Sequence, residues 1–429
     1  MNIPPSKVPR VIVVGGGFGG VTLSRKLVQQ HVQVVLIDRH NYHNFQPLMY
    51  QVATCALEPD SIAFPLRGLV KDTTNFIFRL AEVVAVDPLL KVLKTSIGEV
   101  TFDYLVIATG TATNFFGNQV LEETALPMKS VPQALDIRSY MLQNLEKATL
   151  TSDAEEQKKL MRIVISGAGP TGVELAGAFA EFKKGVLPHD YPELLPEHME
   201  IHLLDGSSRV LASMSEKASQ KAEKYLKELG VNVHLNVMVK SYKEETVLTN
   251  TDLKIEALTF IWSAGVIGNP VPGIREESID QKSQRFLVDR MNRVNGCETI
   301  FAIGDVALMK TPEFPQGHPQ VAQPAIQQGK LLVKNFKRLL LDQPLKEFSY
   351  LDKGSMATIG RNKAVADIKS VTLGGFLAWM AWLGVHLYFL VGVRNRLVVF
   401  LNWMYSYFNF DRAARLIMRP YQKKDISDE

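Results

Sequence analysis

Short apolar runs that stop abruptly at glycine or aspartate recur along the first three quarters of the chain. Each reads as a buried parallel strand that feeds a turn. Arg10–Val14 leads into GGGFGG and then into helically spaced apolar residues, and the next run, VQVVLID, stops at Asp38. The pair returns as Ile163–Ser166, followed by GAGPTG and an amphipathic stretch, and as MEIHLLD, ending at Asp205. Asp205 arrives late because KKGVLPHDYPELLPEHM intervenes, which predicts a longer helix end and loop. FDYLVIATGTATN and FIWSAGVIGNP form a second matched pair, and TIFAIGDVA is a short strand ending in Gly304-Asp305. The period then turns helical. VAQPAIQQGKLLVKNFKRLLL predicts a helix from about Gln323 to Leu341, with Pro324 in the first turn, where its missing N–H costs nothing.

The glycines give these elements a chemistry. Gly15, Gly17 and Gly20 fit G-x-G-x-x-G, and Gly167, Gly169 and Gly172 repeat it. The first glycine permits the tight turn, the second lets backbone approach a pyrophosphate, and the third lets helix and strand pack closely. The helix start supplies free N–H groups for phosphates, and the aspartate accepts from ribose hydroxyls. The fold class predicted is α/β, with two Rossmann-type dinucleotide-binding domains and a C-terminal helical segment. Residues 1–115 and 281–345 would form one domain, 116–280 the other, and 346–429 the C-terminal strands and helices. Two such units imply two dinucleotides, usually a resident flavin and an exchanging nicotinamide. Asp205 favours NADH by repelling a 2′-phosphate, although Ser207, Ser208 and Arg209 directly after it could bind one.

The C-terminal pattern differs. No charged side chain lies between Ser370 and Val393. Eighteen helical residues would cover about 27 Å, close to a hydrocarbon core of about 30 Å. Gly374 and Gly375 shorten that helix, however, and Trp379, Trp382 and His386 suit a membrane interface better than its centre. A second run, LVVFLNWMYSYFNF, is too short to span and precedes Arg412, Arg415, Arg419, Lys423 and Lys424, which suit anionic headgroups. The pattern therefore predicts two helices lying on a bilayer surface.

Composition narrows the classes. With 429 residues, 21% charged and 46% hydrophobic, the chain is long enough for two or three folded domains. Its net charge of +4 is too small for a nucleic-acid protein. Cys55 and Cys297, the only cysteines, form no CxxC, so neither a disulfide framework nor a metal site is expected. MNIPPSKVPR lacks the apolar core of a secretory signal, which implies a reducing compartment.

With NFQPLMYQVATCALEP, VAQPAIQQGK, DKGSMATIGRNKAV and HLYFLVGVRNR added, the chain resembles the type II NADH:quinone oxidoreductases from about Val11 to Arg396. The resemblance implies a flavoprotein disulfide-reductase-like architecture in which the first unit holds FAD non-covalently. Gly15, Gly17, Phe18, Gly20, Asp38, Arg39 and Thr54 would contact FAD, together with Ala108, Thr109, Gly110, Gly304, Asp305, Ala322 and Gln323. The second unit would bind NADH as co-substrate through Gly167, Gly169, Gly172, Asp205, Ala264 and Gly265. Glu174, Gln323 and Gln327 are the catalytic candidates. The two glutamines, four apart on one helix face, would meet a quinone carbonyl, with Lys353 and Met356 lining the quinone path. A plain acid at the start of the second glycine-loop helix is the structural alternative for Glu174. The resemblance further implies a membrane quinone as partner, a bilayer surface, a homodimer, and a peripheral, monotopic place on the cytoplasmic side of a cell's inner membrane. Cys55 departs from the family, which commonly has glycine there. A sulfide:quinone oxidoreductase would need cysteines flanking the flavin, which two isolated ones do not supply. A non-enzymatic NADH-binding redox sensor is the alternative of another class.

Overall fold

The computed structural model describes residues 1–409, 412 and 414–422; Lys423 and Lys424 of the expected basic patch lie outside them. Its first elements are β1 (Arg10–Val14), α1 (Phe18–Leu27), β2 (Gln33–Asp38), α2 (Met49–Ala53), β3 (Phe76–Leu80) and β4 (Tyr104–Ile107). There follow β5 (Leu126–Pro127), β6 (Ile163–Ser166), α3 (Pro170–Gly185), β7 (Ile201–Asp205), α4 (Glu216–Glu228), β8 (Val231–Leu235) and β9 (Thr259–Trp262). The last third holds β10 (Ile300–Ala302), α5 (Ala322–Leu339), β11 (Ser355–Gly360), β12 (Lys363–Ile368), β13 (Val371–Gly374), α6 (Phe376–Phe389) and α7 (Val393–Asn409).

The chain forms two compact units. Unit 1 comprises Met1–Asn44, Phe64–Ala112 and Val266–Asp352; unit 2 comprises Phe45–Ala63, Thr113–Gly265 and the segment from Lys353 onward. In unit 1 a parallel sheet runs β10-β4-β1-β2-β3. Successive β1 residues serve opposite faces, as the pleat requires. Val11 and Val13 pack with Leu23, Leu27 and Phe336, and Ile12 and Val14 with Val86, Leu93 and Phe286. Unit 2 repeats the arrangement as β5-β9-β6-β7-β8, again parallel. It adds the antiparallel β11-β12-β13 sheet and the α6–α7 hairpin.

The unit boundaries differ from those read in the sequence. Unit 1 resumes at Val266 rather than residue 281, because the Asn269 N–H donates to the Gly110 carbonyl and the Val86 N–H to that of Pro272. It runs on to Asp352, since Lys346 is tied to the Asn335 side chain and the Phe348 N–H to the Arg290 carbonyl. Phe45–Ala63 belongs to unit 2, where Asn395, Asn402 and Trp403 of α7 bond to Asp60, Glu58 and Gln51. Helix α5 begins one residue before Gln323 and stops short of Leu341. Helix α6 starts directly after Gly375, whose φ of 70° lies in the left-handed region.

Candidate active site

Both glycine loops carry the same set of constraints. Gly15 and Gly167 have φ of 106° and 105°, in the region that favours glycine. A Cβ on Gly20 would collide with the Gly15 carbonyl oxygen, and one on Gly172 with that of Gly167. At Gly17 and Gly169 a Cβ would meet nothing, so the middle glycines border open space, as a cradle for a pyrophosphate requires. The acids close the loops. Asp38 Oδ2 accepts from the Gly16 N–H at 2.5 Å and Asp205 Oδ2 from the Ala168 N–H at 2.5 Å. Asp38 Oδ1 accepts from the His40 N–H, and Asp205 Oδ1 from the Ser207 N–H and hydroxyl. Ser207 is thus engaged with Asp205. The Arg209 guanidinium donates to the Ala212 carbonyl and the Ser219 hydroxyl.

Helix starts are capped at some positions and open at others, α2 and α6 among the open ones. Asn118, Ser130, Asp153 and Ser215 cap their helices with side-chain oxygens. Helices α1, α3 and α5 start at Gly17, Gly169 and Val321 with no such cap. Their N–H groups are left for a ligand, where the positive dipole end favours anions. Ala322 and Gln323 are the first two residues of α5, and the Gln323 Oε1 is buried without a partner. Gln327 behaves differently: its amide both donates to the Leu351 carbonyl at 2.9 Å and accepts from the Leu351 N–H at 3.0 Å. The two glutamines are therefore not an equivalent pair of free amides.

Around these loops, Phe18 opens α1 edge-on to His43, and Arg39 is exposed beside Asp38. Ala108 crowds Gly15, the Thr109 hydroxyl donates to the Asn269 carbonyl, and Gly110 borders open space. Ala264 likewise crowds Gly167, with Gly265 next to it. Gly304 and Asp305 form a single 3₁₀ turn after β10. Two bracing residues were not visible in the sequence pattern. Buried His43 donates from Nδ1 to the Gly16 carbonyl at 2.8 Å, and burial keeps it neutral with Nε2 unpartnered. Buried Gln328 accepts the Gly304 N–H at 2.7 Å. The available signal was weak: a histidine in a polar run, and a third glutamine in PAIQQGK.

Unit 2 buries a second group of residues. Glu174, expected in the first turn of α3, is its fifth residue and only 9% exposed, so it is a buried group rather than a plain acid at the helix start. Burial pushes its carboxyl pKa up to about 8, opposed by the Thr358 backbone and by the Trp382 indole. The indole N–H nonetheless closes no hydrogen bond of good geometry. A cavity of about 100 Å³ adjoins Glu174 and is lined by Tyr50, Glu181, Arg361, Trp379, Trp382, Trp403, Tyr407 and Arg412, among others. Met356 of β11 packs partly buried against the Ala364, Ala366 and Ala378 cluster, and exposed Lys353 stands 6.0 Å from the Phe389 ring. Thr54, expected at the flavin, ends α2 in unit 2 and donates its hydroxyl to the Tyr50 carbonyl. Cys55 next to it has φ of 63° and is fully buried. The left-handed backbone explains why glycine suits this position, and burial raises the thiol pKa to about 11, leaving it protonated.

The tail needs correction on two points. Trp382 is 1% exposed, stacked on His386 at 4.0 Å and against Trp403 at 5.6 Å, so it is a core residue and not an interfacial anchor. The arginines are also paired inside the chain. Arg412 donates to the Thr54 carbonyl and to Glu181, Arg415 pairs with Asp190, and Arg419 with Asp136. Arg361 donates to the Ser406 and Tyr407 carbonyls, which caps the C-terminus of α7. The exposed surface of the hairpin is mainly apolar, with Phe376, Leu377, Met380 and Tyr388 on α6 and Leu397, Phe400, Leu401, Tyr405 and Phe408 on α7, joined by exposed Arg394 and Arg396 near the start of α7. Among the described residues no helix is long and apolar enough to cross a membrane.

Residues 9–329 match the pyridine nucleotide-disulphide oxidoreductase family, and residues 353–412 match the NDH2 C-terminal domain. The type II NADH:quinone oxidoreductase NdhA of Mycobacterium tuberculosis is 34% identical over 95% of this chain and 89% of its own. The type II NADH:quinone oxidoreductase of Staphylococcus aureus is 26% identical over 85% and 91%. A structure of NDH2 from Plasmodium falciparum in complex with NADH superposes with a TM-score of 0.88 at 21% identity, covering 96% of this chain and 100% of that one. A sulfide:quinone oxidoreductase from Aquifex aeolicus gives 0.71 at 19% identity over 93% and 95%, a likeness of fold.

Proposed function

The chain belongs to the type II NADH:quinone oxidoreductases, and we propose that unit 1 holds FAD non-covalently while unit 2 takes NADH. As a family member it oxidises NADH with a quinone and does not pump protons. The observation that supports the assignment is that unit 1 adds α5, which starts uncapped with the Gln323 amide oxygen buried and unpartnered, to its glycine-loop helix α1. In unit 2 the glycine loop opens α3, and α2 and α6, although also uncapped, follow no G-x-G-x-x-G loop. A flavin dinucleotide needs one helix start for its pyrophosphate and profits from another where its ring gains negative charge; a nicotinamide dinucleotide needs only the first.

In this reading Gly15, Gly17, Phe18, Gly20, Asp38 and Arg39 hold the adenosine and pyrophosphate end of FAD. Ala108, Thr109, Gly110, Gly304, Asp305, Ala322 and Gln323 hold the remainder. The open cradle at Gly17 and the unpartnered Gln323 Oε1 fit that group. When bound, the flavin supplies the two-electron carrier between nicotinamide and quinone. Gly167, Gly169, Gly172, Ala264 and Gly265 receive NADH, and Asp205, already oriented by Ser207 and the Ala168 N–H, accepts from its ribose hydroxyls. With Arg209 engaged elsewhere, nothing there offsets the carboxylate's repulsion of a 2′-phosphate.

Quinone reduction consumes protons, and Glu174 is a buried carboxyl that holds one at neutral pH. Gln323 is the stronger candidate for the quinone carbonyl, because Gln327 is fastened to Leu351. The exposed apolar faces of α6 and α7 lie on the cytoplasmic surface of the inner membrane, with part of them buried in a homodimer. One purified sample tests the core of this. It should release FAD on denaturation, bleach with NADH under anaerobic conditions, and recover with quinone. Absence of FAD, or failure of quinone to restore the colour, overturns the proposal.

A further inference from the structure

Glu174, Ala178 and Glu181 fall at i, i+4 and i+7 of α3, so their side chains share one helix face. All three line the cavity of about 100 Å³ in unit 2. The helical rise sets the two glutamates about 10 Å apart along the axis, and the small Ala178 between them leaves room for the cavity. Glu174 is 9% exposed, whereas the Glu181 side chain is 32% exposed and so reaches solvent. Among the described residues that line the cavity, these two carry the only carboxyls. The walls also present polar atoms. The indole N–H of Trp382, a residue 1% exposed, lacks a partner, and the Tyr50 hydroxyl accepts from the Gln51 amide at 2.8 Å. At about 30 Å³ per molecule the space takes about three waters, and three waters make four hydrogen bonds of ~2.8 Å, about 11 Å in all. A file of water therefore matches the distance between the two acids.

From this geometry we infer that Glu181 collects protons from solvent and passes them to Glu174 along water held in the cavity. The inference rests on the reading that Glu174 supplies a proton to quinone reduction. NADH delivers two electrons and one proton as hydride, so each quinol takes one further proton from the medium. Once Glu174 has given up its proton it is a carboxylate in a dry site, and it must be reprotonated before the next turnover. Solvent protonates Glu181, the proton shifts along the waters to Glu174, and Glu181 is left as the carboxylate it was. The Glu181 carboxyl is held in place for this task. Its Oε1 accepts from the Arg361 N–H, and its Oε2 from the Arg412 guanidinium at 3.4 Å. The other titratable groups at the cavity do not compete for the proton. Burial raises the pKa of the Tyr50 hydroxyl, Arg361 and Arg412 stay cationic, and Tyr407 lies under the Arg361 guanidinium. His386, stacked on Trp382, is kept neutral by burial with a pKa of about 4. Glu181 therefore acts through Glu174, as a positioning residue for its proton.

Two readouts test this, with Glu174→Gln as the reference for the underlying reading. In stopped flow, Glu181→Gln should slow flavin reoxidation by quinone about tenfold at pH 8, short of the loss of a direct proton donor, and less at pH 6. Bleaching by NADH should stay intact. Millimolar formate, a small acid that can enter the cavity, should restore most of the rate, and Glu181→Asp should retain part of it. The second readout is independent of turnover. The infrared band of the protonated Glu174 carboxyl should move to its deuterated position within seconds of mixing the wild type with D2O. Ala178→Leu, which fills the cavity, should delay that shift to minutes. Unchanged reoxidation in Glu181→Gln, no rescue by formate, or a deficit independent of pH overturns the role of Glu181, because a purely structural loss would not respond to added acid. Exchange as fast in Ala178→Leu as in the wild type overturns the water path. If Glu174→Gln leaves reoxidation unchanged, the reading of Glu174 itself fails and the inference falls with it.

Discussion

Glu174→Gln isolates the effect of burying a carboxyl in unit 2. The substitution keeps shape and removes the ionisation. The carboxyl pKa is 4.5 in the unfolded chain and about 8 in the folded one, because water is excluded around it. At ~1.36 kcal/mol per unit, that difference amounts to about 3–5 kcal/mol. Below pH 4.5 the acid is neutral in both states, and the two proteins should be equally stable. Between pH 4.5 and 8 the native wild type must retain a proton that the unfolded chain releases, so its stability falls relative to the variant. Above pH 8 the gap is constant. Thermal unfolding of both proteins from pH 5.5 to 9 reads this directly. At ~2–4 °C per kcal/mol, the variant should melt about 10 °C higher at pH 8.5 and about half that at pH 6.5. Infrared difference spectra should show a protonated carboxyl band at pH 7 that fades by pH 9 and is absent in the variant. A gap independent of pH would refute the account, since the folded-state pKa would then be unshifted, and one that closes as pH rises would mean that Glu174 is ionised and held by a cation.

Asp205→Ala removes both the ribose acceptor and the clamp on Ala168, so KM for NADH should rise tenfold or more while the preference over NADPH narrows; unchanged selectivity would exclude Asp205 as the discriminator. Gln323→Leu should leave bleaching by NADH intact and slow reoxidation by quinone about five- to tenfold in stopped flow, and a slowed bleaching step would place Gln323 at the nicotinamide instead. Gln327→Leu loses both bonds to Leu351 and should show mainly as about 1–2 kcal/mol of lost stability. Cys55 should resist thiol reagents at pH 7.5 until the chain unfolds, and rapid modification of the native protein would contradict its burial. Changing exposed Leu377, Leu397 and Leu401 together to Gln should weaken binding to anionic vesicles at least tenfold with the melting temperature retained; unchanged binding would move the anchor elsewhere.

The glycine loops and their acids were legible in the sequence because their information is local. A strand, a turn and a helix within about 30 residues set the positions of Gly15, Gly17 and Gly20. The same physics dictated the repeat at Gly167, Gly169 and Gly172, down to equal φ at the first glycine of each. The apolar tail was legible too, since an unbroken run of uncharged side chains must be covered by something. Its details were not. Whether Trp382 faces a membrane or the core depends on Tyr50 and Trp403, and whether Arg412 meets a lipid or Glu181 depends on how the chain returns to α3. Those contacts are remote in sequence, and no periodicity encodes them.

Protonation and commitment were likewise decided by tertiary structure. Glu174 reads as an acid near a helix start, stabilised by the dipole, until β11 and α6 close over it and shift its ionisation. Gln323 and Gln327 share a helix face in any helix, but only the return of the chain at Leu351 binds one amide and leaves the other with an unpartnered oxygen. His43 and Gln328 act through the backbone groups they approach across the fold. Sequence determined where phosphates can bind, because backbone N–H groups and missing side chains are fixed by local geometry. Only the folded chain decided which side chains are dry, paired or free, because burial and pairing depend on partners far along the chain.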